Sequence, residues 1–152
     1  MTQTDLILRR YTPDDEAAAI ELWRRSWQAA YPHIDFNERL DWWRERWSSD
    51  TVATSVIAVA EYEGVLVGFF TLNPASGYLD QLVVAPEHWR AGVGGRLMEQ
   101  AFRAAPNGID LHVNTDNMRA IRFYEKHGFV IVSESVNPRS GLPVFLMRWT
   151  PA

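Results

Sequence analysis

The sequence contains no cysteine in its 152 residues. A disulfide framework, a zinc–thiolate site and a thiol nucleophile are therefore all excluded. The chain also lacks an apolar run of membrane-spanning length, and its first residues lack the basic and then apolar pattern of a secretory signal. These absences predict a protein of the cytoplasm that does not cross a membrane, and nothing in the sequence calls for a metal.

Positive charge is also scarce, with 15 Lys and Arg against 19 Asp and Glu and a formal net charge of −4. A surface that binds nucleic acid or an anionic membrane needs a basic patch, so we expect neither partner. The acidic balance suits a small cationic substrate but does not identify one. The length favours one domain over residues 1–152.

The hydrophobic pattern predicts seven strands and four helices in the order β-α-α-β-β-β-α-β-α-β-β. A helix is expected from Thr12 to about Tyr31, and a second across "NERLDWWRERW". A hairpin turn is expected at Glu63–Gly64, followed by a central strand in "YLDQLVVAP". Helical crossovers force some parallel pairing, which predicts an α/β fold with an α+β mixed sheet.

Glycine is uncommon, with nine residues, yet Gly92, Gly94 and Gly95 fall within four positions. They lie between the predicted central strand and a helix, where unpaired main-chain N–H groups and the helix dipole attract an anion. A tight turn would need only one glycine, so three favour a diphosphate site. A Walker loop is excluded because Gly95 is followed by Arg96 and Leu97, where that motif has Lys and then Ser or Thr. A Rossmann fingerprint is excluded because Leu97 stands in the position of its third glycine.

A second informative stretch is "NTDNMRAIRFYEKHGF". Asn117, Ala120 and Tyr124 share one face of the predicted helix. Three basic residues are expected on the far, solvated side: Arg119, Arg122 and Lys126. A purely structural interpretation stays open, with Ala120 and Tyr124 in the core and Asn117 as the helix cap.

Taken together, "LVVAP", "HWRAGVG" and "NMRAIRFYEKHGF" resemble the GNAT superfamily of acyl-CoA-dependent N-acetyltransferases, most sharply from Tyr78 to Phe129. The superfamily loop reads Arg or Gln, two residues, Gly, one residue, then Gly or Ala. Gly92 and Gly94 match the closing positions, whereas Trp89 takes the Arg or Gln position. The resemblance implies a GNAT-like, mostly antiparallel sheet of seven strands with a splayed parallel pair and about four helices.

The resemblance also implies acetyl-CoA as co-substrate, with its pantetheine arm between the "LVV" strand and the strand from Ile109 to Asn114. The diphosphate would bind main-chain N–H groups of the glycine loop. The implied cofactor-binding residues are Leu82, Val83, Val84, Trp89, Arg90, Ala91, Gly92, Val93, Gly94, Gly95 and Asn117.

By the same resemblance, a primary amine attacks the thioester directly. A main-chain N–H near Val83 or Val84 stabilises the oxyanion, and Tyr124 protonates the leaving thiolate as general acid. Asp80 is the best-placed catalytic base, although a solvated residue at a strand end is an equal interpretation. Deprotonation through water is also open, and weaker candidates for the base are Glu61, Glu134 and His33.

The acceptor is expected to be a small-molecule amine that approaches along the first two helices. Their tryptophans should lie mainly in the core, with one or two forming an aromatic wall: Trp23, Trp27, Trp42, Trp43 and Trp47. Nothing selects among a polyamine, an aminoglycoside, an amino acid and a protein N-terminus. "PVFLMRW" suits a homodimer through terminal strands and equally an inner strand.

Three other interpretations remain. A non-catalytic acyl-CoA-binding module would carry the same phosphate loop, although it would not need Tyr124. A protein N-terminal or lysine acetyltransferase would differ only in its acceptor. A different nucleotide-binding fold would bind ATP or NAD in place of coenzyme A.

Overall fold

Seven strands form one mixed sheet in the computed structural model, which describes residues 5–152. The spatial order is β1-β2-β3-β4-β5-β7-β6. All neighbours are antiparallel except β4 and β5, which run parallel. The strands are β1 (Leu6–Arg10), β2 (Val56–Tyr62), β3 (Val65–Asn73), β4 (Tyr78–Val84), β5 (Ile109–Asn114), β6 (Val130–Val136) and β7 (Pro143–Trp149). The predicted mixed sheet and its element order are confirmed.

The β2–β3 hairpin turns at the predicted position. Glu63 and Gly64 both have positive φ, 51° and 78°, as a tight hairpin turn requires. β4 is the fourth of seven strands, so its predicted central place is also correct. β7, whose place the sequence left open, is an inner strand between β5 and β6.

Four helical stretches cover the sheet, as predicted. The first is α1 (Glu16–Ala30), which follows a 3-10 turn at Pro13–Asp15. The second is longer than the sequence indicated. The helices are α1, α2 (Leu40–Arg46), α3 (Val52–Thr54), α4 (Val93–Ala104) and α5 (Met118–Lys126), with a π-helical turn at Trp47–Thr51 that joins α2 to α3. Serine hydroxyls at positions 48 and 49 donate to carbonyl oxygens four residues earlier, which supports this extension.

Both faces of the sheet are packed. In β3 the residues from Val67 to Leu72 are all buried, as expected for a strand covered on two sides. Phe69 meets the Trp47 ring edge-on, with centroids 5.6 Å apart. Its neighbour Gly68 faces the other way, where an added Cβ would lie 3.0 Å from side-chain atoms of α4. The helices therefore hold β3, and β4 beside it, from both sides.

No helix within residues 5–152 is long and apolar enough to cross a bilayer.

Candidate active site

The parallel pair β4 and β5 is joined at one end only. Their register contains a single pair, Tyr78 with Asp110, beside a hydrogen bond from the Asp110 N–H to the Gly77 carbonyl at 3.0 Å. Beyond that pair the strands separate, and a cleft of about 650 Å³ occupies the opening. The splayed pair that the sequence led us to expect is present.

Main-chain groups at the end of β4 point into this opening. The Ala85 N–H donates to the Val67 carbonyl in β3 at 2.8 Å. Because successive N–H groups of a strand point in opposite directions, Val84 and Leu82 face the opening and Val83 faces β3. Of the two residues named as candidate oxyanion donors, Val84 therefore directs its N–H into the opening and Val83 does not, and the Leu82 N–H also faces the opening.

Glycine is found at the three positions of the loop for different structural reasons. Gly92 precedes α4 with φ of 83°, a left-handed conformation that favours glycine. A Cβ on Gly94 would lie 3.0 Å from the Phe123 ring, so this glycine allows α4 to approach α5. Gly95 is neither strained nor crowded, since its Cβ would meet only His127 at 3.7 Å.

The first N–H groups of α4 are directed away from the helix body. The first helical bond in this turn is from the Arg96 N–H to the Gly92 carbonyl, at 3.2 Å. The preceding N–H groups of Val93, Gly94 and Gly95 therefore have no partner inside the helix. They form a compact set of donors at its positive end, which suits a diphosphate.

Nine of the eleven predicted cofactor-binding residues line the cleft. The exceptions are Ala91 and Val93. Val93 is fully buried, and its side chain packs towards Gly68 in the core. Any contribution of Val93 to ligand binding is therefore limited to its main chain.

Trp89 has a local role in place of the expected Arg or Gln. Its indole Nε1 donates to the Val84 carbonyl at 2.8 Å, and the Ser26 hydroxyl donates to the same oxygen at 3.0 Å. The Arg119 guanidinium lies over the Trp89 ring, 3.7 Å from its centroid. Arg119, Arg122 and Lys126 are all exposed, as the solvated stripe predicted, and Arg119 and Lys126 also lie at the cleft.

The predicted polar face of α5 also lines the cleft. The Asn117 side-chain oxygen accepts from the Ala120 N–H at 3.3 Å, so Asn117 does cap the helix. Its amide nitrogen stays available to a ligand. The Tyr124 hydroxyl has no hydrogen-bond partner within residues 5–152, and burial raises the pKa of Tyr124 to about 12. The phenol is protonated at neutral pH and free to donate.

Asp80 lies within β4 and not at a strand end, which corrects the alternative interpretation. The β3–β4 register pairs Thr71 with Gln81 and Leu72 with Leu79, so Asp80 is the extra residue of a β-bulge. Such bulges redirect a side chain, and Asp80 meets Arg46 from α2, with Nη2 and Oδ2 2.7 Å apart. Both residues line the cleft.

The weaker candidates for a base lie elsewhere. None of Glu61, Glu134 and His33 lines the cleft. Glu61 is 3.3 Å from the Arg9 guanidinium in an ion pair. Glu134 is exposed on the outermost strand β6.

Two further polar pairs that involve cleft-lining tyrosines were not found from the sequence. The Tyr31 hydroxyl donates to Asp116 at 2.7 Å, and burial raises the pKa of Tyr31 to about 12, which keeps it a donor. The Tyr78 hydroxyl and the His112 Nδ1 lie 2.7 Å apart. These contacts join residues far apart in the chain, so no local sequence motif predicts them.

Tryptophans form one wall of the acceptor half, the part of the cleft beside α1 and α2. Trp23, Trp43 and Trp47 are buried. Trp27 and Trp42 are half-buried and line the cleft. Trp23 and Trp43 also border the cleft from their buried positions, so more tryptophans lie at the wall than the one or two expected.

Residues 17–129 match the model of the acetyltransferase (GNAT) family. The chain belongs to this family. It is a GNAT N-acetyltransferase, and the different nucleotide-binding fold is excluded. Within residues 5–152, no three His, Asp or Glu side chains are grouped to hold a metal.

Relatives and solved structures agree with this assignment. The peptidyl-lysine N-acetyltransferase YiaC of Escherichia coli (strain K12) is 30% identical over 148 residues, covering 94% of this chain and 96% of YiaC. The spermidine N(1)-acetyltransferase of Thermoplasma acidophilum is 23% identical, with 82% and 88% covered. The fold is that of the PaiA N-acetyltransferase from Thermoplasma acidophilum crystallised with coenzyme A, at a TM-score of 0.80 and 21% identity over 96% of this chain and 99% of PaiA.

Proposed function

We propose that this GNAT enzyme transfers the acetyl group of acetyl-CoA to a primary amine of a small molecule, by direct attack in a ternary complex. The observation that carries the proposal is the opening between β4 and β5. At one end it has the free N–H groups of α4, along its edge the N–H groups of Leu82 and Val84, and on its wall the unpartnered Tyr124 hydroxyl. A diphosphate, an oxyanion and a leaving thiolate each need one of these donors.

Binding of acetyl-CoA would begin at the glycine loop. The N–H groups of Val93, Gly94 and Gly95 donate to the diphosphate, and Gly95 leaves room for its close approach. The pantetheine arm lies along β4, where the Asn117 amide donates to it. The same interactions orient the thioester towards the acceptor half.

The chemical step uses donors that are already in place. The amine nitrogen attacks the thioester carbon, and the N–H of Leu82 or Val84 donates to the oxygen that becomes negative. The C–S bond then breaks, and the electron pair goes to sulfur. Tyr124 donates its proton to this thiolate, and the second proton of the attacking nitrogen leaves to solvent, which reprotonates Tyr124.

The acceptor must first lose a proton, because an alkylamine is mostly an ammonium ion at neutral pH. We assign this proton to Asp80. Oδ2 of Asp80 is engaged by Arg46, so Oδ1 faces the ammonium group, directly or through water. The ion pair fixes the carboxylate orientation in the cleft.

The direct test is thiol release from acetyl-CoA over an amine panel, comparing the wild-type enzyme with Tyr124→Phe and Asp80→Asn. Asp80→Asn should shift the rise of kcat/KM to higher pH, since only the free amine then reacts. An unchanged pH profile would reassign deprotonation to water. Tight coenzyme A binding without turnover on any acceptor would favour the non-catalytic module.

A second acceptor class, a lysine side chain of a protein, is supported by the 30% identity to YiaC over nearly the whole chain. It uses the same donors and differs only in what fills the acceptor half. Mass spectrometry of a lysine-containing peptide mixture, run beside the small-amine panel, separates the two. Acetylated peptides with no small-amine product would favour the protein acceptor.

We also propose a homodimer formed through the outermost strand. β6 is exposed along its whole length and carries apolar side chains there: Val130, Ile131, Val132 and Val136. Unpaired edge strands readily pair with another chain. Light scattering of the wild type and of Val132→Lys decides this, and a monomeric wild type would contradict it.

A further inference from the structure

Arginines dominate the acceptor half of the cleft although the chain is acidic overall. Arg39 precedes α2, Arg46 ends it, and Arg139 lies in the β6–β7 loop. All three line the cleft, whereas the carboxylates that line it are Asp80 and, on α4 beside the glycine loop, Glu99. The region that receives the acceptor is therefore positively charged.

Two of these arginines have no acidic partner. Arg46 pairs with Asp80. Within residues 5–152, neither Arg39 nor Arg139 has a carboxylate at ion-pair distance. Each instead lies over an aromatic ring of the wall. Arg139 is 3.5 Å from the Trp42 centroid and Arg39 is 5.0 Å from the Phe36 centroid.

A cation–π contact positions a guanidinium through the charge attraction of the ring face. Within residues 5–152 neither the Arg39 nor the Arg139 side chain donates a hydrogen bond, so the five N–H donors of each stay free for a ligand. Those donors match the two oxygens of a carboxylate, and a guanidinium gives up hydration more readily than an ammonium group. The rings thus hold two free carboxylate-binding groups beside the cleft.

The arrangement also links the negative and positive groups along one wall. Trp42 carries Arg139 on its ring and has Arg46 5.7 Å from its centroid, and Arg46 pairs with Asp80. A molecule with its ammonium group at Asp80 and a carboxylate at the arginines would complement this order of charges. A polyamine has cations along its whole length and would meet like charge at Arg39 and Arg139.

We propose that the acceptor is a small amino acid, an amine whose carboxylate is bound by Arg139 with Arg39 and Arg46. The apolar part of the molecule packs on Trp27 and Trp42. This inference rests on the proposed acetyl transfer to a small amine, and it names the chemical class of that amine.

The test uses matched acceptors that differ only by the carboxylate: lysine with cadaverine, ornithine with putrescine, and phenylalanine with 2-phenylethylamine. We expect kcat/KM for the amino acid to exceed that for its decarboxylated partner by about tenfold or more in at least one pair. In Arg139→Gln that preference should fall by about tenfold. Equal values in all three pairs, or faster reaction of the diamines, would overturn the proposal.

The control is Arg44→Gln. Arg44 is an exposed arginine of α2 that pairs with Asp41 and does not line the cleft. It changes the net charge as Arg139→Gln does, so its preference should match the wild type. An equal loss of preference in Arg44→Gln would show a general charge effect and would also overturn the proposal.

Calorimetric binding of the same six compounds to the enzyme saturated with coenzyme A gives a second readout that needs no turnover. Tighter binding of an amino acid than of its partner, weakened in Arg139→Gln, supports the inference. Absence of binding by all three amino acids contradicts it. Absence of turnover with every acceptor contradicts the proposed function instead, so the two failures are distinguishable.

Discussion

The indole Nε1 of Trp89 donates a hydrogen bond to the main-chain oxygen of Val84 at 2.8 Å. Trp89 stands where the family pattern has Arg or Gln, so its side chain fixes the end of β4 from within the protein. The Val84 oxygen lies on the edge of β4 that faces the opening, where no strand partner is available. The tryptophan thereby supports the edge on which we propose that acetyl-CoA lies.

Replacing Trp89 by Phe should weaken both the fold and coenzyme binding. The ring that carries Arg119 is kept in part, but the donor to Val84 is lost while Ser26 still donates. We expect the free energy of unfolding to fall by about 1 kcal/mol and KM for acetyl-CoA to rise several-fold. Urea denaturation and steady-state kinetics measure these effects.

Trp149→Phe is the matched control for that substitution. The Trp149 indole packs on Phe102, and its N–H donates to no residue in the part of the chain that the structure describes. KM for acetyl-CoA should not change in this variant. A KM in Trp89→Phe that equals the wild-type value would remove the proposed role of the hydrogen bond.

Gly95→Ala should stabilise the free protein and weaken its binding of coenzyme A. Gly95 has ordinary helical geometry and its Cβ meets no close atom, so alanine in this first turn gains about 0.5–1 kcal/mol of stability. The same methyl group narrows the approach of the diphosphate to the N–H groups of α4. Thermal denaturation with and without coenzyme A measures both effects.

Gly92→Ala is the informative comparison. Its φ of 83° strains any other residue, and we expect a loss of about 1 kcal/mol in stability before any ligand is added. Gly95→Ala and Gly92→Ala should therefore shift the melting temperature of the free protein in opposite directions. Unchanged coenzyme affinity in Gly95→Ala would contradict the proposed diphosphate site.

Tyr124→Phe should lower kcat by about 100-fold or more if the phenol is the general acid. Burial raises the pKa of Tyr124 to about 12, so the protonated form persists through the working range. On the alkaline side the wild-type kcat should stay level without a decline below about pH 11. Thiol release measured across pH checks both statements.

Tyr62→Phe serves as the control, because Tyr62 of β2 does not line the cleft. Its kcat should equal that of the wild type at every pH. A wild-type decline near the ordinary pKa of tyrosine, about 10, would show that the phenol titrates early and would exclude this assignment.

Asp15→Asn should destabilise the fold at neutral pH but not in acid. Arg9 donates two hydrogen bonds of 2.8 Å to the Asp15 carboxylate, and they hold the pKa of Asp15 below its usual value. This stabilisation is complete above the unfolded-state pKa of about 3.9. It is lost as pH falls through the lower folded-state pKa.

The expected loss in Asp15→Asn is about 1–3 kcal/mol at pH 7, measured by urea denaturation at a series of pH values. Glu61→Gln is the control, since Glu61 contacts the same guanidinium at the longer distance of 3.3 Å. Its substitution should lower the free energy of unfolding by less than Asp15→Asn does. A difference between wild type and Asp15→Asn that persists unchanged into acid would contradict the linkage.

Local patterns in the sequence predicted those parts of the fold that local physics determines. The Glu63–Gly64 turn and the Gly92 conformation depend on φ at single residues, and glycine marks them. The extension of α2 through Thr54 was missed, because "WSSDTVAT" contains weak helix formers whose hydroxyls are satisfied by back-bonding to the preceding turn. The bulge at Asp80 was missed because register depends on both strands together.

The candidate site was predicted only where its residues belong to one continuous segment of the chain. The α5 stripe of Asn117, Ala120 and Tyr124 is one periodic segment, so the sequence shows it. Arg46 and Arg139 enter the cleft from an early helix and a late loop, and only the folded chain brings them to Trp42. Arg119 is exposed as predicted, but helical periodicity alone does not reveal the Trp89 indole beneath its guanidinium.

The single pair between β4 and β5 has a mechanical consequence. β4 and β5 are paired only at Tyr78 and Asp110. A ligand bound between the two strands would therefore form the hydrogen bonds to β4 that β5 does not form. Amide hydrogens of Leu82 and Val84 should then exchange rapidly in the free enzyme and slowly once coenzyme A is bound.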